Sequence, residues 1–160
     1  MAVSQSVEQQ EDTRRSRRAR RTIGPGMVLG LLGAIGIVVS MFLSWRVGSV
    51  HPSEIPAAFL WDRGVTSDPS FLIYLIPLAA LLTIGALLPG AGALRLLAGL
   101  GTLVVVGLFA YQLHRVTDAL GTDFGNALDP GFYVAAIAGL VGFVSGFLPA
   151  TSVSRRVVAD

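Results

Sequence analysis

Four stretches of the chain, at residues 23–45, 70–88, 96–113 and 131–149, contain no charged residue. At helical rise each comes close to the roughly 30 Å of a bilayer's hydrocarbon core. Charged side chains are confined to the segments between and outside them. Charged residues make up 14% of the chain, against about 25% in a typical soluble domain. That shortfall leaves little from which to build a separate soluble core. The expected fold is all-α, an integral membrane four-helix bundle. Residues 1–22 form a disordered, arginine-rich cytoplasmic tail, 23–149 the transmembrane domain, and 150–160 a second cytoplasmic tail.

The arginines set the expected orientation. Six of them (Arg14, Arg15, Arg17, Arg18, Arg20, Arg21) precede the first stretch, Arg95 lies between the second and third, and Arg155 and Arg156 follow the fourth. The other side carries Arg46, Arg63 and Arg115. Cationic residues accumulate on the cytoplasmic side of membrane proteins, so both termini are expected inside. Arg17, Arg18, Arg20 and Arg21 would also attract anionic lipid headgroups. The pI near 9.7 follows from this clustering and does not call for nucleic acid as a partner. A basic segment before an apolar one also fits a signal peptide. The apolar run is longer than a signal core, however, and no small-x-small site follows Trp45, so a retained helix is expected.

The chain has no cysteine, which excludes disulfides and thiolate metal or redox chemistry. All twelve cationic residues are arginine, a bias that suggests a GC-rich bacterial genome. His51 and His114 sit near the outer ends with Glu54, Asp62, Asp118 and Asp123 nearby in sequence. No H-x-x-H, H-E-x-x-H or D-x-D spacing accompanies them, so neither a metal centre nor a haem is expected, and no cofactor is implied. No ionisable group falls mid-span, where proton relays and ion pathways usually need one.

Two small-residue stripes mark the first span: Gly26, Gly30 and Ala34, then Gly36, Ser40 and Ser44. Such stripes let helix backbones approach closely, within the bundle or between copies of the chain. Pro77 should kink the second span. The second and fourth spans begin alike, with Asp68-Pro69-Ser70-Phe71 and Asp129-Pro130-Gly131-Phe132. An aspartate N-cap followed by proline at N1 explains both, and the match hints at two tandem hairpins. Residues 53–61 read as a short amphipathic helix in the first exterior loop with Ser53 as N-cap. Aromatic rings gather at the outer ends, as an interfacial belt and an exterior cap. The candidate exterior interaction surface is Trp45, Arg46, His51, Glu54, Trp61, Asp62, His114 and Arg115.

Through Met41-Phe42-Leu43-Ser44-Trp45 and Trp61-Asp62, the chain resembles small four-pass membrane proteins of actinobacteria, which place an aromatic residue where helix one exits and a Trp in the first exterior loop. Most of those carry no assigned activity, so the resemblance implies location rather than mechanism. The layout is also similar to that of claudin-like tetraspanners, without the paired cysteines of their loop motif. The expected role is a non-enzymatic plasma-membrane accessory or scaffold subunit. Its partners would be the lipid bilayer and a membrane protein or a second copy of the chain. An oligomeric transporter or channel and an exterior-facing enzyme are the alternatives.

Overall fold

A computed structural model describes residues 21–61 and 69–153. Four helices carry the fold: α1 (Pro25–Phe42), α2 (Leu72–Leu87), α3 (Gly92–Leu120) and α4 (Pro130–Ser145). They form an up-down ring in which α1 and α3 each pack on α2 and α4 and scarcely touch each other across the diagonal. Two helices, α1 and α3, are long and apolar enough to cross a membrane; α2 and α4 are apolar but shorter, at 16 residues each.

The ring closes at one end through a three-residue antiparallel ladder, β1 (Arg21–Ile23) with β2 (Thr151–Val153). Arg21 and Thr22 therefore do not belong to a disordered tail, and 151–153 are not a free tail either. Residues 1–20 and 154–160 lie outside the described residues, and so do Arg17, Arg18 and Arg20 as headgroup ligands; the Arg21 side chain lies outside them too. Backbone pairing continues past the ladder: Gly24 N–H donates to Ala150 O at 2.9 Å and Gly26 N–H to Pro149 O at 3.1 Å. These bonds satisfy donors that a helix start leaves without an intrahelical acceptor. Pro25 at N1 gives up no useful donor.

Small residues set the helix spacing. The buried positions of α1 include Gly26, Gly30, Gly33, Ala34 and Ser40. A Cβ on Gly30 would stand 2.9 Å from Ala86 Cβ, and one on Gly36 would stand 2.7 Å from Ala138 Cβ. Both stripes of α1 are thus occupied by neighbours within the bundle. The hydroxyls of Ser40, Thr102 and Ser145 are buried and donate to carbonyls of their own helices at 2.6–2.9 Å, so they leave no polar group unpaired.

Several local expectations are corrected. The helix α3 is 29 residues long, starting before residue 96 and running seven residues beyond Leu113. Arg115 and Asp118 therefore ride on a helix rather than in a loop, and His114 lies within that helix rather than at its end. It stops at Gly121, whose φ of +63° supplies the left-handed C-cap that L residues adopt at a cost. Arg95 is not a loop charge; it lies in the first turn of α3 and is 2% exposed.

Residues 53–61 do not form an α-helix, and Ser53 caps nothing. The chain turns at 52–54 and adopts a 3-10 helix over Ala57–Trp61. Pro56 removes a donor and would clash with the carbonyl of residue 52 in an α-helix. The segment is instead tied to the entrance of α2, with Phe71 N–H donating to Ile55 O at 2.7 Å and Ala57 N–H to Pro69 O at 2.8 Å. Asp129 stands at the N-cap of α4, but its side chain makes no capping bond. Gly131 N–H finds Ser44 O instead, at 2.9 Å. Asp68 lies outside the described residues.

Candidate functional site

Opposite the β1–β2 ladder, the ends of all four helices are roofed by residues 43–61 and 121–129. The aromatic residues expected as a surface belt in part form the core of this end. Trp45, Phe71 and Phe109 are buried, with Trp45 edge-on to both phenyl rings at 5.2 Å between centroids. Such edge-to-face pairs add about 0.5–1.5 kcal/mol each beyond their burial. The indole Nε1–H donates to Ser40 O at 2.8 Å, so the buried ring leaves no polar atom unpaired.

Trp45 is therefore removed from the candidate exterior surface. The helix α1 ends at Phe42 and Leu43 is extended, which swings the following side chains back over the bundle. Gly131 permits this, since a Cβ there would meet Trp45 Cδ1 at 2.5 Å. Trp45→Phe keeps the packing but deletes the indole donor and leaves Ser40 O without it. A loss of about 1–3 kcal/mol is expected, read as a lower midpoint in thermal unfolding in detergent.

The other candidate residues spread around the roof. Arg46 is exposed, and its backbone bridges both Val50 and Leu128. His51 is half-buried and its backbone N–H donates to Glu54 Oε2 at 3.1 Å. Trp61 is exposed, and its Nε1–H donates to Tyr74 Oη at 3.1 Å. His114 is exposed and packs edge-on to Phe124 at 5.4 Å; Arg115 is exposed on the same helical extension. Asp62 lies outside the described residues. Arg46 and Glu54 come together in one cavity wall, while His114 and Arg115 do not line that cavity.

That cavity, about 150 Å³, is framed by Arg46, Val50, Glu54, Ile55, Pro56, Phe59 and Phe109. A more open depression of about 280 Å³ borders Arg46 on its other side, between Val47, Thr117, Leu120, Thr122, Asp123, Asn126 and Ala127. The turn separating them is constrained, with Gly48 at φ +99° and Ser49 at φ +60°. Non-glycine residues rarely hold such a conformation unless their surroundings enforce it. Among the described residues, no three His, Asp or Glu side chains gather as a metal cluster.

Gln112 is not among the residues the sequence pattern singles out. It is buried, and its Nε2–H donates to Leu60 O at 3.2 Å, pinning the 3-10 segment to α3. A lone amide in an otherwise apolar stretch was the available signal. At the opposite end Arg95 threads between the helices and donates from Nη2 to Leu148 O at 3.0 Å. Its Nε and Nη1 are buried and find no acceptor among the described residues. Gly26, Gly30 and Gly85 open the space it fills, since a Cβ on any of them would press on the arginine side chain.

No protein-family model, curated protein or solved structure matches the chain.

Proposed function

We propose that the chain is an integral plasma-membrane protein crossing the bilayer four times with both termini in the cytoplasm, and that it serves as a non-enzymatic accessory or scaffold subunit. The observation carrying this reading is the inverted distribution of side-chain size. Glycine, alanine and serine supply much of the inward surface, and all of it on α4, while large aliphatic residues are exposed on all four helices, among them Leu32, Ile35, Ile73, Leu97 and Ile137. Soluble monomers rarely expose contiguous apolar patches beyond a few hundred Å². In lipid, by contrast, close contact between small residues drives helix association and apolar outer faces cost nothing.

Helix length supports four crossings once the terminal turns are included. Ile73 N–H donates to Ser70 O at 3.0 Å and Leu88 N–H to Ile84 O at 3.0 Å, extending α2 at both ends. Phe147 and Leu148 continue α4 with bonds to Val144 O and Ser145 O at 3.1 and 3.2 Å. Each becomes a rod of about nineteen residues, or about 28 Å, close to the hydrocarbon thickness.

The centre of the bundle is filled by buried Ile37, Leu75, Leu82 and Leu113. A partner therefore has the outer helix faces and the roof to bind. Because the chain has no cysteine, single-cysteine variants report topology directly. An impermeant maleimide applied to intact cells is expected to label Ser53→Cys and spare Ala93→Cys until the cells are lysed. Labelling of Ala93→Cys in intact cells, or release of the protein by alkaline carbonate, overturns the topology. Purification in mild detergents should bring down a second membrane protein or a defined homo-oligomer. A monodisperse monomer in every detergent overturns the scaffold role, and conductance in proteoliposomes would favour the oligomeric channel instead.

A further inference from the structure

The cavity and the open depression on the roof share one charged wall residue, Arg46. Two carboxylates stand in the same walls, Glu54 and Asp123, each hydrogen-bonded to neutral donors rather than to Arg46. Glu54 Oε2 accepts the His51 backbone N–H at 3.1 Å. Asp123 accepts Gly125 N–H through Oδ1 and Asn126 Nδ2–H through Oδ2, each at 3.1 Å. The Arg46 guanidinium has no acceptor among the described residues. It is therefore the cation that these two hollows leave available.

Each side of Arg46 offers a different chemistry. The cavity of about 150 Å³ has Phe59 and Phe109 among its lining residues, and a space of that volume takes a group of about the size of benzene. The depression of about 280 Å³ is lined on its polar side by Thr117, Thr122, Asp123 and Asn126. Together the two reach the lower part of the range of small-molecule sites, roughly 300–1,000 Å³. The backbone bridges from Arg46 to Val50 and to Leu128 hold the residue between them.

We propose that Arg46 anchors a binding site for a small amphiphilic anion, a phosphate or carboxylate carrying one apolar group of ring or short-chain size. The anion sits on the guanidinium, whose forked donors suit either group. The apolar group enters the cavity over Phe59 and Phe109, and any polar extension lies in the threonine-lined depression. A lipid headgroup region and a soluble amphiphile present the same chemistry. The site exists whichever way the bundle faces, so its test stands apart from the topology experiment.

The test is calorimetric titration of the full chain, in phosphatidylcholine nanodiscs, with phenyl phosphate. Saturable binding is expected, weakened roughly tenfold or more by Arg46→Gln, which removes a charged hydrogen bond. Val50→Trp, which fills the cavity from its wall, should weaken it comparably, and inorganic phosphate should bind at least roughly tenfold more weakly than phenyl phosphate. Arg115→Gln, a charge change on the same end at a residue that lines neither hollow, should leave binding within about twofold. Absence of saturable binding, full retention in Arg46→Gln, or equal binding of phenyltrimethylammonium overturns the proposal. Added phosphatidylglycerol that displaces phenyl phosphate assigns the anion to lipid; failure to displace it assigns a soluble amphiphile.

Discussion

Gly99→Ala is expected to destabilise the bundle by about 3 kcal/mol or more, among the largest effects of adding one methyl group anywhere in the chain. A Cβ at Gly99 would fall on the backbone nitrogen of Phe143, 2.5 Å from its Cα and 2.7 Å from the carbonyl carbon of Gly142. Those are main-chain atoms of α4, so no side chain can turn away to make room. The α3–α4 contact has to open along its length, which places the change at or above the usual 1–3 kcal/mol of core overpacking. Gly107, eight residues further along the same helix, has nothing within 4 Å of its would-be Cβ. Gly107→Ala should stabilise by up to about 1 kcal/mol through helix propensity alone. Thermal unfolding of the two variants in one detergent reads both signs. Equal behaviour of the pair would show that close approach at Gly99 does not hold the helices together.

The second large effect is expected at Arg95. Removing the side chain with Arg95→Ala should cost about 2–5 kcal/mol, because it empties a space that four helices surround. Arg95→Met should behave very differently. It keeps most of the volume while removing a buried charge whose Nε and Nη1 have no acceptor among the described residues. Replacing a buried ionic group by an apolar one of similar size is often neutral or stabilising by about 1–4 kcal/mol. The Met variant should therefore lie at or above the wild type in thermal unfolding, despite losing the bond to Leu148 O. A Met variant as unstable as the Ala variant would mean that the guanidinium's charge and its single hydrogen bond, rather than its bulk, hold that end of the bundle.

Arg95 also marks where reading along the chain stopped working. Its neighbours in sequence, Pro89-Gly90-Ala91-Gly92-Ala93, look like a turn, and an arginine beside a turn normally points to water. Which way it points is decided by Gly26, Gly30 and Gly85 on two other helices, which leave room inward. No local pattern around residue 95 contains that information. Trp45 failed for the same reason. Its position at the end of an apolar stretch fits an interfacial anchor, while its burial depends on Phe71, Phe109 and Gly131 from three other elements.

Local features fared better where the cause was itself local. The helical state of the four apolar stretches and the small residues along the inner side of the first follow from residue chemistry within a few residues of each position. The 3-10 segment at Ala57–Trp61 fell between these cases. Pro56 was visible and argued against an α-helix, but the pairing to Pro69 and Phe71 was not.

By itself the chain determined that four apolar segments would be helical, that small residues would line the first of them, and that no disulfide holds the fold. These are consequences of composition and spacing, which act over a few residues. The tertiary structure alone decided that Trp45 and Arg95 turn inward, that α3 outruns its apolar stretch, and that Arg46 stands between two hollows. Each of those outcomes depends on how closely distant backbones approach, and a glycine's missing side chain has its effect on whatever the fold brings opposite it.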